Sequence, residues 1–104
     1  MELLRIGNPA SKLKLLFTCR HHACEAMASY LLEGVLEALL GEDEPGNWFR
    51  NNVDCAVVPF VDKDGVEAGD QGKNREPHDH NRDYIGEVSD SIYPEVAALR
   101  RWGA

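Results

Sequence analysis

Two β-type apolar runs bracket a long stretch of helix formers, and this alternation limits the folds open to the chain more than any other feature. Residues 13–19, rich in Leu and Phe, read as a buried strand. From Ala23 to Leu40 the residues favour helix. Met27, Leu31, Val35 and Leu39 fall on one side, with Leu32, Leu36 and Leu40 beside them. The polar stripe is narrow, so the helix is expected to be covered over much of its surface, with Gly41 as its C-cap. Residues 53–60 form a second strand, with Pro59 near its end. Strand, helix, strand is a βαβ unit, in which the strands run parallel and the crossover is right-handed. The expected class is α/β: a three-layer α/β/α sandwich on a mainly parallel or mixed sheet. Parallel strands end on the same edge of a sheet. The loops after residues 19 and 60 are therefore predicted to converge there, where open α/β sheets form ligand sites.

The remaining segments fit one small domain over residues 1–104. Residues 2–6 suit a short strand, followed by the turn signal Gly7-Asn8-Pro9. Residues 42–52, with Pro45-Gly46, read as a polar loop. Val61 to Tyr84 is long, polar, glycine-containing and without periodicity, the pattern of a functional loop or of a solvated one. Ser91 suits the cap of a last helix that has Pro94 and Glu95 in its first turn and runs to about Trp102.

Charge narrows the partners. Eleven basic against eighteen acidic residues give a net charge of −7, which argues against a general nucleic-acid or anionic-membrane surface. Lys73, Arg75 and Arg82 nevertheless cluster in the long loop. No apolar stretch reaches membrane-spanning length, and the N-terminus lacks a basic region followed by a long apolar one, so a cytoplasmic location is expected. Cys19, Cys24 and Cys55 sit in apolar surroundings, which suits buried free thiols. A structural zinc site on Cys19, Cys24 and the histidines between them fits the usual ligand spacing poorly.

Arg20-His21-His22-Ala23-Cys24-Glu25 lies where the first strand gives way to the helix. His22 and Glu25 are three apart, so on a first helical turn an imidazole and a carboxylate share one face. Zinc accepts both donor types. The pair alone is weak: four His and ten Glu in 104 residues produce about 0.4 such pairs by chance. Glu25 also begins a four-residue series with Ser29, Glu33 and Glu37, the pattern of a solvated stripe.

Three motifs taken in order are more specific. His22-Ala23-Cys24-Glu25, Asp64-Gly65-Val66 and Asp79-His80-Asn81-Arg82, within residues 13–84, resemble the zinc metallocarboxypeptidases, the group of carboxypeptidase A and the cytosolic carboxypeptidases. The resemblance implies zinc as cofactor, with His22 and Glu25 as its first two ligands. It implies that Asp79 orients His22 through the other ring nitrogen. Asn81 and Arg82 would grip the terminal carboxylate of a peptide or protein, for which a guanidinium offers a two-pronged match. Arg75 would polarise the scissile carbonyl and steady its oxyanion. Its interval to Arg82 is shorter than in the family, and Lys73 is the alternative. His21 is expected to pack or hydrogen-bond, and His78 and His80 to be loop residues that could assist locally.

The family's third ligand, a later histidine, and its catalytic glutamate have no counterpart here, since residues 83–104 hold no His. The sequence thus resembles the front part of such a domain. The expected function is zinc-dependent carboxypeptidase chemistry, with this chain alone holding zinc poorly and inactive. The alternative is a non-catalytic module that binds carboxylate-ended peptides. A metal nuclease using His78, Asp79, His80 and Asn81 is disfavoured by the net charge.

Overall fold

The computed structural model describes residues 1–102. Its centre is strand β3 (Val53–Val58), all six residues of which are buried. Strand β1 (Leu4–Gly7) runs antiparallel to it, Leu4 opposite Val57, and β2 (Leu13–Thr18) runs parallel, Leu13 beside Val53 and Thr18 beside Val58. The order β1-β3-β2 makes a mixed sheet. β2 is an edge strand with Leu13 and Leu15 exposed, not the buried strand its composition suggests. The turn after β1 needs Gly7, whose φ of +100° and whose approach to Val53 O leave no room for a Cβ.

Alternation along β3 separates two layers. Val53, Cys55 and Val57 pack with Leu32, Leu36 and Leu39 of helix α1 (Met27–Leu40) and with Phe49 of helix α2 (Glu44–Asn52). Burial of Leu32 alone stabilises by about 1.5–3 kcal/mol. On the other face Val58 and Leu16 meet Leu99 of the last helix, Pro94–Trp102, numbered α4 below. The rest of that face carries Asp54, which accepts from Arg5 Nε at 2.7 Å and Lys14 Nζ at 2.6 Å, one cation from each flanking strand. Helices on both faces give the three-layer α/β arrangement.

Several local expectations change. Residues 44–52 are helical rather than loop. Asp43 caps them by accepting from Gly46 N–H at 3.1 Å, with Pro45 in the first turn. Arg50 then donates to the Leu39 and Gly41 carbonyls, closing the end of α1. Helix α1 is less covered than its stripe suggests, with Met27 77% and Leu31 73% exposed. Within the long loop lie helix α3 (Lys63–Ala68), capped by Asp62, and a 3-10 turn over His80–Arg82. Ser91 does not cap α4, because its hydroxyl donates to Asp83 O, while the Asp83 carboxylate takes the Ile92 and Tyr93 N–H groups. Cys24 is exposed rather than buried, Cys19 is half-buried, and Cys55 is buried.

Candidate metal centre

The loops after β2 and β3 do meet. Asp62 N–H donates to Arg20 O at 3.0 Å and Cys24 N–H to Gln71 O at 3.1 Å. Gly72 makes the second contact possible. Its φ is +86°, and a Cβ there would lie 2.6 Å from Ala23 N.

His22 and Glu25 sit ahead of α1, not on its first turn. A turn closed by Glu25 N–H donating to His22 O at 3.1 Å brings them together. Arg20 enters it with a φ of +53°, and its guanidinium braces the turn by donating to Ala23 O at 2.8 Å and Ser29 Oγ at 3.2 Å. His22 is buried between two carboxylates, with Nδ1 3.2 Å from Glu25 Oε1 and Nε2 2.9 Å from Asp79 Oδ1. A neutral imidazole has one N–H, so only one of these contacts is an ordinary hydrogen bond. The other contact sets a bare ring nitrogen against a carboxylate oxygen.

Burial raises the Glu25 carboxyl, but the contacts with His22 and Lys73 outweigh it and hold the group below its usual range. Asp79 is likewise held low, burial being outweighed by the Asn81 N–H, His22 and Arg82. Both stay anionic, as metal binding requires.

Arg75 is not brought to His22 and Glu25. Its guanidinium lies 3.4 Å from Asp62 Oδ1 and 3.2 Å from Glu95 Oε1, over the Tyr93 ring at 4.7 Å. It borders a cavity of about 650 Å³ with Asp62, Asp64, Asp70 and Glu95. Lys73 reaches the site instead, with Nζ 3.2 Å from Glu25 Oε1. Asn81 N–H donates to Asp79 Oδ1 at 2.9 Å, and Asn81 lines a cavity of about 550 Å³ with His21, Tyr84 and Leu99. Arg82 pairs with no carboxylate among the described residues, and its guanidinium meets only Asn81 O, at 3.4 Å.

His80 lies in the long loop, as expected, but is fully buried there. Its ring lies 4.6 Å from that of His21 and 5.7 Å from that of His22, and Nδ1 is 3.0 Å from Glu95 Oε1. Its Nε2 has no hydrogen-bond partner among the described residues. His21 hydrogen-bonds Tyr84 Oη at 2.7 Å. Its pKa is lowered by burial first and by the neighbouring His80 second.

A model of the zinc carboxypeptidases matches residues 1–99 of the chain. The chain belongs to this family. Cytosolic carboxypeptidase 6 of Caenorhabditis elegans is 28% identical over 90 residues, which are 86% of this chain and 19% of that protein. Cytosolic carboxypeptidase 2 of Danio rerio is 30% identical, covering 79% of this chain and 11% of that protein. Among solved structures, a metallo-carboxypeptidase from Burkholderia cenocepacia is 28% identical with a TM-score of 0.76, over 96% of this chain and 28% of that one. A metallo-carboxypeptidase from Pseudomonas aeruginosa, in complex with (2-guanidinoethylmercapto)succinic acid, is 29% identical with a TM-score of 0.77, over 96% and 27%. The chain thus spans about a fifth or less of these curated relatives and about a quarter of the solved ones. The zinc carboxypeptidase family implies zinc, and the donor set fits it: an imidazole nitrogen 3.2 Å from a carboxylate oxygen. No described helix is long and apolar enough to cross a membrane.

Proposed function

We propose that this zinc carboxypeptidase chain supplies the front half of a carboxypeptidase site, acting on peptides or proteins with a free C-terminal carboxylate. The observation that carries the reading is the His22 ring clamped between Glu25 at 3.2 Å and Asp79 at 2.9 Å. With Nε2–H donated to Asp79, Nδ1 keeps its lone pair toward Glu25, and His22 and Glu25 form the zinc-holding pair. Zinc, when bound, polarises the scissile carbonyl and activates water. Arg82, free of a carboxylate partner among the described residues, binds the terminal carboxylate with Asn81 beside it. Lys73 supplies positive charge at the site more directly than Arg75, whose guanidinium is engaged by Asp62 and Glu95. Asp79 positions His22, and the Asn81 N–H in turn positions Asp79.

Two protein ligands fall short of the three of a catalytic zinc site, so the 104-residue chain does not hydrolyse peptides by itself. The test is release of the C-terminal residue from an N-acetylated dipeptide. No turnover by the isolated chain is expected, and chelator-sensitive turnover would overturn the incomplete-site reading. If zinc is not bound while the dipeptide acid is retained over its amide, the chain is instead a carboxylate-binding module, a role the unpaired Arg82 would also serve.

A further inference from the structure

His80 stands inside the turn that presents Asp79, Asn81 and Arg82, and it is the bulkiest fully buried side chain among the described residues. The turn closes on itself: Arg82 N–H donates to Asp79 O at 2.8 Å, and Asp83 N–H to His80 O at 3.1 Å. Two contacts fix it to the start of α4. The Asp83 carboxylate accepts the Ile92 and Tyr93 N–H groups just ahead of the helix, at 2.9 and 3.2 Å. His80 Nδ1 lies 3.0 Å from Oε1 of Glu95, which is in the first helical turn. Burial raises the Glu95 carboxyl, but His80, the Glu95 backbone N–H and Arg75 outweigh it and hold the group low, so it stays an acceptor. With Asp83 alone the turn could pivot; with His80 as well its orientation is set.

Nδ1 is therefore the protonated nitrogen. Nε2 carries a lone pair that is buried and has no hydrogen-bond partner among the described residues, which costs stability. A ring kept only for packing would be better apolar. The His21 and Tyr93 rings meet His80 edge-on, 4.6 and 5.9 Å between centroids, as they would a phenylalanine. What an apolar ring lacks is the N–H for Glu95. A buried polar contact of this kind selects one arrangement more than it adds stability. The geometry points to His80 as a positioning residue: with its N–H on Glu95, it sets the orientation in which the 79–82 turn presents Asp79 to His22 and Arg82 to a substrate carboxylate. The task given to the turn rests on the carboxypeptidase reading above; the anchor itself does not.

The test separates the N–H from the bulk of the ring, in the 104-residue chain. His80→Phe keeps the bulk and loses the N–H. His80→Asn loses bulk and keeps an amide N–H near the Nδ1 position. Three quantities are read: the urea midpoint, the exchange of the Asn81 N–H that Asp79 Oδ1 accepts, and the affinity for an N-acetylated dipeptide acid. In His80→Phe the midpoint should hold or rise, while Asn81 exchange quickens and acid affinity falls, each about fivefold or more, the effect of one ordinary hydrogen bond. In His80→Asn the midpoint should drop, through the cavity left behind, while exchange and affinity return to within about twofold of wild type. Exchange and affinity that follow the midpoint instead of the N–H overturn the inference, as does wild-type exchange in His80→Phe. Should His80→Phe not fold, Glu95→Met removes the acceptor from the other side, and unchanged Asn81 exchange there overturns the anchor. A wild-type chain that does not bind the acid, with exchange still following the N–H, overturns the Arg82 reading and supports the anchor.

Discussion

The Asp79 carboxylate lies 2.9 Å from His22 Nε2 across 57 residues of chain. That contact ties the turn after β2 to the loop after β3, and it places the second carboxylate on a ring that already faces Glu25. Asp79→Asn keeps the size and removes the charge. Zinc affinity is expected to fall about 10- to 100-fold in calorimetry, with the far-UV spectrum unchanged.

Arg82 and Arg75 separate into different roles. Arg82→Lys keeps the charge and loses the planar fork, so affinity for an N-acetylated dipeptide acid should drop about tenfold while the weak binding of its amide stays level. Isothermal titration of both ligands reads the difference.

Arg75→Met leaves Asp62 and Glu95 without their shared guanidinium. Because Arg75 is one-third exposed, the expected loss lies between that of surface and buried pairs, roughly 1–3 kcal/mol in urea unfolding. Lys73→Met, at an exposed pair, should stay within about 0.5 kcal/mol of wild type.

Much of this arrangement is legible in the residues. The apolar runs at 13–19 and 53–60 mark the two parallel strands, and parallel pairing implies the meeting of their following loops. The edge position of β2 is not legible, because a strand that exposes Leu13 and Leu15 carries the composition of a buried one. Helix α2 hid behind its polarity, although Asp43 with Pro45 is a start signal. The burial of His80 is not legible, because nothing local reports it. Its partner Glu95 lies 15 residues on, in α4, and only the fold brings the two together. Arg75 lies near the right motifs in sequence, yet Asp62 and Glu95 compete for its guanidinium.

Gly72 lets the long loop touch the His22 turn, and Gly72→Ala asks a left-handed residue to carry a Cβ 2.6 Å from Ala23 N. The cost should be about 1–3 kcal/mol in urea unfolding. The exchange of the Cys24 N–H, bonded to Gln71 O, should quicken in step.

Asp54 sets an acid limb. Hydrogen bonds from Arg5 and then Lys14 hold its carboxyl well below its ordinary 3.8. A lowered native pKa means the contribution is complete above about 3.8 and fades as pH falls toward the native value. Asp54→Asn should flatten the fall in unfolding free energy on that side of pH 4, measured by urea titration at stepped pH.

His22 faces both Glu25 and Asp79, so its removal tests the centre as a whole. Calorimetric titration of Zn²⁺ into wild type and His22→Ala is expected to show at least tenfold weaker binding by the variant, with its fold intact by circular dichroism. Equal zinc affinity in the two proteins would contradict the assignment of this ring as the pivot of the site.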